Sequence, residues 1–121
     1  MIEKSEHVPE IAISVVQRQL DAYNAHDMDA FLACYASDVI VVKLPENKVI
    51  CRGLGEMETR YRSRFAEGST VHAVLMHRIH LGSRIIDHEN VTGLSDSPLN
   101  VAAIYEVRED LIRWVAFLNS M

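Results

Sequence analysis

The stretch Ser69–Gly93, STVHAVLMHRIHLGSRIIDHENVTG, decides how this chain is read. It predicts two long strands joined by a tight turn at Gly82-Ser83, because apolar and polar residues alternate with a period of two. Val71, Ala73, Leu75, His77, Ile79 and Leu81 fall on one face of the first strand, and His72, Val74, Met76, Arg78 and His80 on the other. A two-residue Gly-Ser loop is a hairpin signal. Counting back from it, Leu81 faces Arg84, Arg78 faces Asp87, His77 faces His88 and Leu75 faces Asn90. The more apolar face then carries His77, His88 and Asn90. Polar groups on a core-facing surface need partners or a cavity. One slipped residue, from a longer turn or a bulge, would turn Asp87 and Glu89 inward in place of His88 and Asn90.

Before the hairpin, Pro9 to about Ala25 predicts a helix. Pro9 suits its first position, and Ala12, Val16, Leu20 and Tyr23 form its stripe. Asn24-Ala25-His26 breaks the pattern, and Asp27 is an N-cap for a second helix from Met28 to about Ala36. Val39–Leu44 and Asn47–Arg52 predict a hairpin turning at Pro45-Glu46-Asn47. Gly53–Glu67 predicts a third helix closed by Gly68, with Glu56–Arg60 and Glu58–Arg62 as i,i+4 pairs. The run Arg60, Arg62, Arg64 reads as a solvated face, since alternate helical residues point apart. After the central hairpin come strands Leu99–Glu109, with Tyr105 and Ala103 on its apolar face, and Leu111–Asn119. Both faces of the last strand are largely apolar, so one is expected on the helices and the other against a second copy of the chain.

The order is ααββαββββ: an α+β layout in which a strongly curved, mostly antiparallel sheet wraps around the helices and leaves a cone-shaped cavity. The 121 residues suit a single domain, 1–121. A net charge of −5, from 17 acidic and 12 basic residues, argues against nucleic acid and anionic membranes as partners. No apolar run approaches the roughly 18 residues of a membrane span, and the polar start MIEKSEHVPE lacks a signal-peptide core, which makes a cytoplasmic location the expectation. Cys34 and Cys51 have no metal or redox spacing and are expected as buried free thiols. The histidines are scattered, so no metal is expected, and no sequence feature calls for a cofactor.

The segment YNAHDMDAFLACYASDVIVV (Tyr23–Val42) resembles the helix–turn–helix–strand opening of the nuclear transport factor 2-like superfamily, in its SnoaL-like and ketosteroid isomerase-like branch. GSRIIDHENVTG and AAIYEVREDLIRWVAFL are similar to the closing strands of SnoaL-like members. The resemblance runs from about Val15 to Leu118. It implies a fold that hosts isomerases, cyclases, dehydratases, hydrolases and plain binding modules. Steroid isomerisation needs a carboxylate base, a tyrosine and a protonated carboxylic acid. The matching positions here are Lys43, Gln19 and Ala103, so that mechanism is not expected.

What remains is a set of polar residues expected at the cavity. His77 and His88 are the candidate catalytic pair, with Asp87 and Glu89 in the alternative register. Tyr23, Asn90, Ala103, Tyr105, Phe117 and Asn119 are expected to line the pocket. Histidines near neutrality, or buried carboxylates, would transfer protons on a small hydrophobic carbonyl compound. The other reading is a non-catalytic ligand-binding or dimerisation module, with a homodimer through the outer sheet face.

Overall fold

The computed structural model describes residues 2–119, with side chains from Glu10 onward. Helix α1 spans Ile2–Asn24 and α2 Met28–Leu32. Strands β1 (Tyr35–Lys43) and β2 (Lys48–Arg52) follow, then α3 (Gly53–Tyr61) and a 3₁₀ turn at Arg62–Arg64. Strands β3 (His72–Leu81), β4 (Arg84–Thr92), β5 (Leu99–Arg108) and β6 (Leu111–Asn119) complete the chain. The element order matches the expectation. Several boundaries do not: α1 begins at Ile2 rather than Pro9, α2 stops at Leu32, β1 takes Tyr35 and Ala36, and α3 ends at Tyr61, passing into the 3₁₀ turn instead of running on to Glu67. The side chain of Pro9 lies outside the described residues.

The six strands form one sheet in the order β2-β1-β6-β5-β4-β3, antiparallel except where β1 runs parallel to β6. Bulges bend the sheet by adding a residue to one strand. Ile50 is extra in β2, Met76 in β3 and Arg113 in β6. The helices fill the concave side. At the centre Phe31 meets Tyr35 and Phe65 at ring-centroid distances of 5.0 Å, Tyr61 at 5.2 Å and Tyr23 at 6.0 Å. Aromatic rings tilted against one another in this way bury large areas with favourable edge-to-face contacts.

The polar residues between α1 and α2 act as ties. The Asn24 amide donates to the Ala73 carbonyl (2.9 Å) and its oxygen accepts from the Ala73 N–H (2.8 Å), so one side chain pairs with β3 as a neighbouring strand would. The His26 ring lies 2.8 Å from the Val71 carbonyl. Asp27 caps α2 as expected, accepting from the Ala30 N–H at 3.1 Å. At the far end of β4, Gly93 has φ +88°, and a Cβ there would sit 2.5 Å from the Thr70 oxygen. Only glycine allows the two segments to approach so closely.

The hairpin between β3 and β4 turns at Gly82-Ser83 as read from the sequence, with Leu81 opposite Arg84, Arg78 opposite Asp87 and His77 opposite His88. Beyond that pair Met76 bulges out, and Leu75 faces Glu89 instead of Asn90. The bulge splits the expected apolar face. Val71, Ala73 and Leu75 turn to the concave side, while His77, Ile79 and Leu81 turn to the convex side. On β4 the buried row is Ile85, Asp87, Glu89 and Val91.

Candidate functional site

A cavity of about 150 Å³ opens between the helices and the concave face of the sheet. Its buried walls include Gln19, Tyr23, Phe31, Tyr35, Tyr61, Glu89 and Tyr105. Exposed residues that also line it mark the mouth: Lys43 at the end of β1, Arg60 on α3, Leu94 in the loop after β4, and Asn119 at the end of β6.

Glu89 is the singular group in this chamber. It is 7% exposed, and its Oε2 is buried without a hydrogen-bond partner among the described residues. Burial and then the negative charge of Asp87 push its carboxyl up to about 7, with Arg78 pulling the other way. Desolvation disfavours the charged form, so an acid placed here holds its proton near neutrality. Asp87, one pair of residues along the same face, is fully buried and held by a bidentate ion pair to Arg78, 2.7 Å to Nε and 2.9 Å to Nη2. Arg78 Nη1 also donates to Gln17 at 2.8 Å. Asp87 is therefore committed to a closed structural pair, and Glu89 is not.

A hydrogen-bonded chain crosses the floor. Tyr35 donates its hydroxyl to Gln19 Oε1, and Gln19 Nε2 donates to the Tyr105 hydroxyl, both at 3.1 Å. Tyr105 accepts in that bond, which leaves its own proton to donate. Burial pushes both tyrosines well above the usual phenol range, and the charge of Glu89 adds to this. Both are thus proton donors at neutral pH. Tyr23 is raised by burial, with the nearby positive charge of Arg64 offsetting part of it. Arg64 sits over the Tyr61 ring, 4.5 Å from its centroid, in a cation–π contact.

The residues read as site candidates separate cleanly. Tyr23, Tyr105, Phe117, Asn119 and Glu89 line the cavity. His77 and His88 do not: their rings stack at 5.8 Å on the convex face, and His88 Nε2 lies 3.1 Å from Asn100 Oδ1. Asn90 shares that face opposite Asn100, and Ala103 is buried beside Asp87 without reaching the cavity. The physical reason is the Met76 bulge. It reverses the facing of β3 below His77, so the inner positions of β4 go to Asp87 and Glu89.

Gln19 and Lys43 do reach the cavity, where the steroid-isomerase pattern would want a tyrosine and a base. Arg60, Arg64, Tyr35 and Tyr61 are lining residues that the sequence reading passed over. The two arginines stand four residues apart, the spacing that puts helical residues on one side. The alternation of Arg60, Arg62 and Arg64 concealed it. Among the described residues no group of three or more His, Cys, Asp or Glu is placed to hold a metal ion. No helix there is long and apolar enough to cross a membrane.

A curved six-stranded sheet closed by helices over a partly apolar chamber places the chain in the α+β class. The chain belongs to the SnoaL-like domain family, whose model matches residues 16–115. Solved structures agree. A SnoaL-like protein of unknown function from Burkholderia thailandensis E264 is 16% identical, with TM-score 0.76, covering 93% of this chain and 96% of that one. A cystatin-fold protein from Novosphingobium aromaticivorans is 22% identical (TM-score 0.78; 88% and 96% covered). An epoxide hydrolase from M. tuberculosis described as LEH-like is 16% identical (TM-score 0.78; 93% and 84% covered). At these identities the likeness is one of fold. No curated protein sequence matches the chain at a significant level.

Proposed function

We propose that this protein binds a small hydrophobic carbonyl compound and catalyses a proton transfer on it, an isomerase-, cyclase- or lyase-type reaction with Glu89 as the general acid/base. The observation that carries the reading is the buried, unpartnered Oε2 of Glu89 facing the cavity. An orphaned polar atom in a chamber is costly to maintain and is explained by a ligand that completes it. A carboxyl near 7 exists in both forms at neutral pH, which suits it to take a proton and return it.

In the simplest step the Glu89 carboxylate removes a proton from the carbon beside the carbonyl. The electron pair moves onto the carbonyl oxygen, and the Tyr105 hydroxyl donates a hydrogen bond to the developing charge. Where the compound is β,γ-unsaturated, Glu89 then returns the same proton to the γ-carbon as the double bond moves to the α,β position, so the step needs no co-reactant. Tyr35 and Gln19 orient Tyr105 from behind.

The first test is the titration of Glu89 in ligand-free protein, followed by carboxyl-carbon NMR with Glu89→Gln for assignment. The expected midpoint is about 7. A midpoint in the ordinary range near 4.3 would remove the acid/base role and leave a binding module.

The reading includes a homodimer through the convex face of the sheet. Val74, Met76, Ile79, Leu81 and Leu118 are large apolar side chains exposed there. Exposed apolar side chains gathered on one sheet face are a candidate interface, and a second copy presents the same surface to them. Sedimentation at micromolar concentration is expected to give twice the chain mass, and Ile79→Glu is expected to give the monomer. A wild-type monomer would refute the interface.

A further inference from the structure

We propose that the compound bound in this cavity carries a carboxylate, held at the mouth by Arg60, Arg64 and Lys43 while its apolar body enters the aromatic chamber. The proposal rests on the acid/base reading above and names its substrate class.

Three cations line one cavity of a chain whose net charge is −5, and among the described residues Glu89 is the sole carboxylate lining it. Among the described residues none of the three cations is in an ion pair. Arg60 had an obvious partner in Glu56, four residues before it. Glu56 is used elsewhere: its Oε1 accepts from the Arg52 N–H at 2.7 Å, capping the start of α3. Arg64 is held over the Tyr61 ring, which orients its guanidinium without neutralising it. Lys43 lines the same cavity from β1, Arg60 from α3 and Arg64 from the 3₁₀ turn, so the cations come from three different elements.

A surface arginine needs no such arrangement. Like charges gathered at a cavity mouth repel one another, and an entering anion relieves that repulsion. The guanidinium matches a carboxylate through paired N–H donors, and the lysine adds a point charge. Apolar and aromatic side chains behind the cations, Leu20, Phe31, Val91 and Phe117 among them, complete an amphiphilic site.

The test uses a matched pair of probes, 3-phenylpropionate and 3-phenylpropionamide, which differ in charge at one end. Titration calorimetry on the wild type is expected to find the acid bound about tenfold more tightly at low salt. The preference should fall as sodium chloride is raised. Arg60→Gln and Arg64→Gln are each expected to reduce the acid's affinity several-fold and leave the amide's unchanged, while Arg60→Lys restores part of it. Lys43→Gln, at an exposed strand end, gives the same direction in a position where folding is not in question.

Equal binding of acid and amide, binding of neither, or arginine variants that hold the acid as the wild type does would overturn the proposal. The acid/base reading is judged separately. Glu89→Gln should keep the preference for the acid while its carboxyl titration disappears, so failure of one is not failure of the other.

Discussion

Glu89→Gln should make the protein more stable at pH 8, by about 3 kcal/mol, while lowering its proton-transfer rate by roughly 10²-fold or more. The stability term follows from linkage. Glu89 titrates near 7 in the folded chain and near the ordinary carboxylate value when unfolded. Between those values the folded state binds more protons than the unfolded state. Stability therefore falls as pH rises through the window from about 4.5 to 7, and the whole loss is present above it. Glutamine has the shape of the neutral acid and carries no charge to desolvate. Urea titrations at pH 4.5 and pH 8 measure this directly: the two proteins should differ little at the lower pH and clearly at the higher. Equal stability of wild type and variant at pH 8 would show that Glu89 bears no penalty for its charge. A residue that destabilises its own fold in exchange for a reactive carboxyl is the expected signature of a functional site.

The path to that residue shows what a sequence can disclose. The β3–β4 turn was legible because Gly82-Ser83 sits between two alternating runs, and it set the pairs down to His77 and His88 correctly. The Met76 bulge was not legible. In VHAVLMHRIHL both alternate sets mix apolar with basic residues, so neither face announces itself as the core, and an added residue leaves no break in the pattern. The strand β4 was equally ambiguous, with Asp87 and Glu89 on one side and His88 and Asn90 on the other. Arg78 reaches inward to hold Asp87, and the bulge brings that pair onto the same face as Val71, Ala73 and Leu75. Asn24 and His26 read as interruptions of helical pattern because their partners, Ala73 and Val71, are remote in sequence. The pair Arg60 and Arg64 was hidden by Arg62 between them. Elements came from local periodicity, and the site came from contacts that only the folded chain makes.

Arg78→Met should be the most damaging single substitution among the charged residues, lowering stability by about 3 kcal/mol or more. Its partner Asp87 is fully buried, and Arg78 supplies both of its charge-assisted bonds while its own side chain is only 11% exposed. Removing the arginine strands a carboxylate in the core, where the remaining cost is that of an unpaired buried charge rather than of one lost contact. The double variant Arg78→Met, Asp87→Leu leaves no charge behind and should recover most of the loss, to within about 1 kcal/mol of wild type. A thermodynamic cycle over the two single variants and the double separates the pair from simple loss of packing. If the double variant is as unstable as Arg78→Met alone, the damage is packing and the ion pair is not its source. The same cycle reaches the site, because both partners act on Glu89. The charge of Asp87 raises the Glu89 carboxyl and that of Arg78 lowers it. Asp87→Asn should therefore bring Glu89 down from about 7 toward the usual carboxylate range. Arg78→Met removes the positive charge that pulls the Glu89 carboxyl down, so Glu89 should titrate higher than in the wild type. Opposite shifts from two residues that do not line the cavity would establish that a closed ion pair behind the chamber adjusts the proton affinity that burial gives the group inside it.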